Sequence, residues 1–253
     1  MIPNCSMTYP DRAVSGFHRV EQWIDAYWRT GDLLLEGYDG AILKLTEGSG
    51  GRYFDANKRS WAEEQISRLE GRGLQYYHYG RPDSKGTLSD AQEEAKSFLE
   101  AIDQLVDPMT LYYQDGSEAA VWLDLESDAP DLTQKAGLEW IIRFCEELES
   151  RSFPVGIYSP ADWLSEFATG GRWKDTERLF TRSDGSFRPL WCARYGQGKE
   201  SYPPDLDRYP PATNAPNAYL CMRGNPPVLQ WTSSRIGGTE DGRGHDSNLV
   251  YLR

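Results

Sequence analysis

Metal ligands are scarce in this sequence. Its 253 residues contain three histidines and four cysteines. Cys5, Cys145, Cys192 and Cys221 stand far apart, and no Cys-x-x-Cys occurs. A zinc site is therefore not expected, and no cofactor is; isolated thiols of this kind read as free or buried ones. A Gly-x-Ser-x-Gly turn is missing, and no cysteine has a His/Asn pattern near it, which argues against serine and cysteine hydrolases. No run of 18 apolar residues exists, so no spanning helix is expected. The start, Met1-Ile-Pro-Asn-Cys-Ser6, has neither a charged segment nor an apolar one, so a secretory signal is not expected either. Basic residues are outnumbered, 27 against 39 acidic, for a net charge of −12. That opposes a nucleic-acid partner and a polybasic membrane contact. Aromatics, in contrast, are plentiful: nine Trp, 15 Tyr and eight Phe argue against disorder.

Apolar runs and helical stretches alternate along the chain. Strands are expected at Ile2–Met7, Gly40–Glu47, Leu74–Tyr79, Ala119–Glu126, Pro154–Tyr158, Pro189–Tyr195, Val228–Thr232 and Asp246–Tyr251, with a further short one at Ala218–Met222. Helices are expected at Asn57–Arg72, at Ser89–Val106 with Ser89 as N-cap, at Thr133–Ser150 and at Ala161–Thr169. Alternation of this kind gives parallel strands joined by crossovers. After about residue 188 the helices give way to Pro/Gly/Asn-rich segments, including Tyr202–Asn217 with its five prolines. The pattern predicts an α/β protein, a TIM-like barrel with five helix-linked strands and three bare ones, (β/α)5(β)3, in a single domain over residues 1–253. A doubly wound sheet is the alternative, but Gly48-Ser-Gly-Gly51 is a poor phosphate turn.

The sharpest chemical feature is Trp122-Leu-Asp124-Leu-Glu126. Strand alternation puts Asp124 and Glu126 on one face, about 6.6 Å apart. Two carboxylates so close resist double ionisation, and one becomes an acid able to protonate a glycosidic oxygen. Asp246 and Asn248 likewise share a face at the start of the last strand. Lys44 and Glu47 form a third candidate, with a strand-end ion pair as the plain alternative. In Tyr77-His78-Tyr79 the phenols and the imidazole are candidates, though a lone histidine is more often structural. Trp191, Tyr195 and Trp231 fall near strand carboxyl ends, where barrel sites form and where flat rings can face sugar C–H groups; core packing is the competing reading.

These segments resemble glycoside hydrolase family 25, the Chalaropsis-type lysozymes of many phage endolysins. Ala41–Gly48 resembles the family's Lys-Ala-Thr-Glu-Gly element, Phe54–Asn57 its D-x-x-x-x-N stretch, and Gly73–Tyr79 its Tyr-His strand. Leu123–Glu126 resembles the catalytic Asp-x-Glu, Val155–Tyr158 the fifth strand and Leu190–Tyr195 the sixth. Leu229–Thr232 resembles a permuted Trp-Gln-Tyr, and His245–Asn248 the closing Val-Asp-Leu-Asn. The resemblance implies hydrolysis of the β-1,4 bond between N-acetylmuramic acid and N-acetylglucosamine in peptidoglycan. Glu126 would be the general acid, Asp124 its partner and Asp246 a further carboxylate. Asn4, Lys44, Glu47, Tyr77, Tyr79, Trp191, Tyr195, Trp231 and Asn248 would bind substrate. The family's first strand carries an Asp; with Ile2–Met7 as that strand the position falls on Asn4, an amide that cannot act as a base. Asn4 favours the alternative of a weak or inactive glycan-binding or virion structural protein. The expected setting is a phage lysin without a separate wall-binding module, held in the host cytoplasm before release to the wall or carried on a virion.

Overall fold

The computed structural model describes residues 19–29, 33, 37–49, 54–69, 71–82, 87–105, 121–125, 135–160, 182–183, 185, 188–193, 228–232 and 246–252. One sheet of eight strands closes on itself in sequence order. The strands are β1 (Arg19–Ala26), β2 (Gly40–Glu47), β3 (Gly73–Tyr79), β4 (Val121–Asp124), β5 (Val155–Pro160), β6 (Leu190–Ala193), β7 (Val228–Thr232) and β8 (Asp246–Leu252). Neighbours from β1 to β7 run parallel, and β8 lies antiparallel between β7 and β1. Three helices lie among the described residues: α1 (Ala56–Arg68), α2 (Leu88–Leu105) and α3 (Lys135–Glu149).

The first barrel strand differs from expectation. Arg19–Ala26, not Ile2–Met7, pairs with both β2 and β8 and so completes the ring. Glu21, Gln22 and Asp25 break the apolar pattern of this segment, which hid it from a search for apolar runs. Residues 2–7, the helix expected at 161–169 and the strand expected at 218–222 lie outside the described residues. Helix α2 starts two residues earlier than Ser89 as N-cap would allow. Its cap is Thr87, whose Oγ1 accepts from the Asp90 amide at 3.3 Å, while its carbonyl accepts from the Ala91 amide.

Two apolar layers follow from strand alternation. Outward residues such as Ile24, Leu43, Tyr76, Leu123 and Ile157 pack against Ala95, Phe98 and Ile102 of α2 and Ile141, Phe144 and Leu148 of α3. Those helix positions recur three or four residues apart, which makes one apolar stripe per helix. The inward layer is aromatic: Trp23, Tyr77, Trp122, Tyr158 and Trp191 cluster with Ile42. Trp191 stands edge-on to Trp122 at 5.7 Å and tilts against Tyr158 at 4.5 Å. Full burial of one indole is worth on the order of 5 kcal/mol of transfer free energy. The rings fit because their strand neighbours are glycines. A Cβ on Gly73 would lie 2.0 Å from Trp23 Cζ2, and one on Gly156 would lie 2.2 Å from Trp122 Cζ3.

Gly156→Ala should therefore cost about 3 kcal/mol, since an indole gripped on all sides has no room to yield. The shift in the urea unfolding midpoint measures it, and an unchanged midpoint would show that the interior can repack.

Candidate active site

Six parallel ladders bring the carboxyl ends of β1 to β7 to one mouth of the barrel, and the amino end of β8 reaches the same mouth. On β1, Trp23 faces the interior, so Asp25, two residues on, shares its face at the mouth. On β4 the same step leads from Trp122 to Asp124, which is buried. In register Asp124 stands between Tyr79 on β3 and Tyr158 on β5. Its carbonyl accepts from the Gly80 amide at 2.9 Å, and the Leu125 amide donates to the Tyr158 carbonyl at 2.9 Å. These bonds carry the ladder past the strand end and fix the backbone that bears the carboxylate. Asp25 is paired in register with Asp246 of β8, directly across the antiparallel ladder. Three aspartates on β1, β4 and β8 thus belong to one end of the barrel. Glu126, Tyr195 and Asn4 lie outside the described residues, and for Asp246, Asn248 and Trp231 only the strand register is described.

The first-strand position assigned above to Asn4 belongs to Asp25. With β1 at Arg19–Ala26, the residue at its carboxyl end is a carboxylate, and the amide substitution inferred from the sequence falls away. Asp25 is the site residue that sequence reasoning missed. The signal was present as the alternation Glu21, Trp23, Asp25 against Gln22, Ile24, Ala26, which is strand-like once polar residues are allowed on the inner face.

Lys44 and Glu47 would fall on opposite faces of a regular strand, being three residues apart. The ladder between β2 and β3 shifts register between Lys44 and Thr46. This bulge lets Leu45 and Thr46 both face outward and returns Glu47 to the side of Lys44. Lys44 Nζ then donates to Glu47 Oε2 at 2.7 Å and sits 4.3 Å from the centre of the Tyr79 ring. Arg81 Nε donates to the other Glu47 oxygen, and its guanidinium lies 5.0 Å from the same ring. Tyr79 thus has two cations against its ring, and both cations grip one carboxylate. Burial alone would raise the Glu47 pKa, but the hydrogen bonds and charges of Lys44 and Arg81 outweigh it and hold the group below its ordinary 4.5.

His78 has a structural place. It faces outward, fully buried, with Nδ1 2.8 Å from Thr46 Oγ1 and Nε2 2.7 Å from Glu94 Oε2 on α2. Phe144 stacks on the ring at 5.0 Å. Glu94 Oε2 also accepts from the Arg81 amide at 3.0 Å, so a buried carboxylate behind the barrel wall anchors the residue that reaches back to Glu47. Tyr77 and Trp191 are interior packing rather than open sugar platforms: Trp191 is 2% exposed and meets the Tyr77 ring edge-on at 5.8 Å. Cys145 is free and buried in α3, and burial pushes its thiol up to about 12, which leaves it inert near neutral pH.

Two outcomes follow. Glu94→Ala leaves His78 and the Arg81 amide without their acceptor and should cost about 3 kcal/mol or more in chemical unfolding. A depressed carboxylate stabilises the fold above its unfolded pKa and loses that contribution as pH falls through the lower folded value. Glu47→Gln should therefore flatten the fall in melting temperature below about pH 4.5, while leaving the neutral-to-alkaline limb unchanged in shape.

The sequence matches the family model for Glycosyl hydrolases family 25 over residues 20–216, well over half the chain. No curated protein matches it. Among solved structures it is similar to the modular Cpl-1 endolysin, complexed with a peptidoglycan analogue, at 18% identity and a TM-score of 0.57, covering 92% of this chain and 54% of that one. It is also similar to the spore cortex lytic enzyme SleM of Clostridium perfringens, at 20% identity and a TM-score of 0.58, covering 91% of this chain and 67% of that one. The chain thus spans about half the length of the Cpl-1 endolysin. At such identities the two neighbours speak for the fold, whereas the family match, beginning one residue into β1 and running through the strand that bears Asp124, shows that this chain belongs to glycosyl hydrolases family 25.

Proposed function

We propose that the protein is a peptidoglycan hydrolase of the lysozyme type, cleaving the β-1,4 bond between N-acetylmuramic acid and N-acetylglucosamine. The observation that carries the reading is the set of aspartates at one mouth of a family 25 barrel: Asp25 on β1, Asp124 on β4 and Asp246 on β8. Glycoside hydrolysis asks for two carboxyl roles, one donating a proton to the leaving oxygen and one meeting the positive charge that grows on the sugar ring. We assign the proton to Glu126. Asp124, buried and held by its backbone bonds, supplies negative charge where the oxocarbenium-like centre forms or orients the substrate's acetamido group. Asp25, paired in register with Asp246 of β8, adds a further carboxylate from the β1 side of the mouth. Lys44 and Glu47 bind sugar hydroxyls beside Tyr79. In this reading the chain has the family's arrangement of five helix-linked and three bare strands. The setting we propose is a phage lysin that meets the wall from the host cytoplasm or from a virion.

The runner-up, a non-catalytic glycan-binding protein, drew its support from an amide in the first strand, and β1 carries Asp25 instead.

Digestion of purified peptidoglycan tests the proposal. New reducing ends should appear and, after borohydride reduction, be identified as muramic acid by mass spectrometry. Glu126→Gln and Asp124→Asn should each lower the rate at least ~100-fold, with unfolding midpoints little changed. Reducing ends on glucosamine would replace the bond assigned here. Silence across several wall types would return the weight to glycan binding.

A further inference from the structure

Among the described residues, an open aromatic ring stands at the mouth of this barrel, and it is not among those the sequence singled out. Trp28 follows β1 by two residues and is 36% exposed, while Trp23, Trp122, Trp140 and Trp191 are all deeply buried. Two cations lie against its ring. Arg29 Cζ is 5.0 Å from the ring centre, and Lys58 Nζ, in the first turn of α1, is 5.4 Å away. Asp55, the N-cap of α1, accepts from Lys58 Nζ at 2.8 Å and fixes its position. The neighbouring ring of Tyr27 lies 6.0 Å from Lys44 Nζ, which ties this rim to the Lys44, Glu47 and Tyr79 group. Arg29, Lys44, Lys58 and Arg81 thus line the β1 to β3 side of the mouth of a protein whose net charge is −12. An exposed indole suits the C–H face of a sugar, and cations beside it suit a carboxylate carried by that sugar.

Resting on the hydrolase reading above, we propose that Trp28, Arg29 and Lys58 form a rim subsite for a sugar residue that bears an acidic peptide: the indole takes the ring, and the two cations take the peptide's carboxylates. The subsite makes the enzyme selective for stem-bearing glycan, and it acts on binding rather than on bond cleavage, since it stands outside the group of aspartates.

Steady-state kinetics on soluble glycan strands read this out, with stems left intact or with their carboxylates amidated by carbodiimide and ammonia. Trp28→Ala should raise KM about tenfold on intact strands with kcat within about twofold, and Trp28→Phe should stay near wild type. The double variant Arg29→Met, Lys58→Met should raise KM on intact strands and leave it unchanged on amidated ones. An unchanged KM in Trp28→Ala, or an equal rise on both kinds of strand in the double variant, overturns the inference. Should Trp28→Ala lose its folded circular dichroism, Trp28→Phe and the double variant decide alone. Should the wild type cleave neither kind of strand, the hydrolase reading fails, and calorimetric binding decides the subsite separately: preference for intact strands upholds it, and equal affinity overturns it.

Discussion

The structure turns on how the inside of the barrel is filled. A closed ring of eight strands leaves a central space that must be packed, and here indoles do most of it. Trp23, Trp122 and Trp191 are too large to share a layer with ordinary side chains, so the strands beside them carry Gly40, Gly73 and Gly156. The exchange of many medium residues for a few large rings against glycine has a directional result. On β1, β2 and β4 the inner-cluster residues Trp23, Ile42 and Trp122 are followed one inward step later by the charged residues Asp25, Lys44 and Asp124. The same face of each strand is thus sealed below and polar above. A carboxylate at that depth rests on an aromatic floor, and Asp124 is buried there, the condition under which a fixed charge acts strongly.

The bulge in β2 is the second device. Without the shift between Lys44 and Thr46, period-two alternation would aim Glu47 into the helix layer. A bare glutamate there would be buried unpaired. With it, Thr46 turns outward to His78 and Glu47 turns inward to Lys44, so one irregularity supplies both the hidden Thr46, His78, Glu94 chain and the half-buried Lys44, Glu47 pair that Arg81 joins. The two chains meet at Arg81, whose amide is held by Glu94 and whose guanidinium is held by Glu47. The loop after β3 is thereby pinned from behind the wall and from the mouth at once.

Much of this was legible in the sequence because continuous apolar runs bounded by turn residues announce strands that are covered on both sides. Gly40–Glu47, Leu74–Tyr79 and the core of Ala119–Glu126 read correctly for that reason, and Asp124 stood out as a charge inside such a run. β1 failed the same test. Its inward face holds Glu21 and Asp25 beside Trp23, and a pattern search that treats charge as the end of a strand passes over it. The Asn4 assignment was a consequence of that slip. The rank of the aromatics was not legible either. Trp191 and Trp28 both stand near strand carboxyl ends, but the first is walled in by Tyr77, Trp122 and Tyr158 and the second is not. Burial depends on which strands become neighbours, and that is a property of the closed ring.

Charge placement links these points. A protein with 39 acidic residues repels an acidic polymer at a distance, yet its mouth must receive one if the substrate is stem-bearing peptidoglycan. The aspartates deepen the problem, since they add negative charge at the same end of the barrel. A cationic arc on one side, from Arg29 and Lys58 at the rim to Lys44 and Arg81 within, resolves it by giving the mouth two signs. In the proposed reading the carboxylates of the substrate would lie on one side, and the positive charge that develops at the sugar would face the other. Polarity of this kind orients a strand before any close contact is made, because at physiological ionic strength charges remain felt across about 8 Å, the scale of a sugar ring and its substituent.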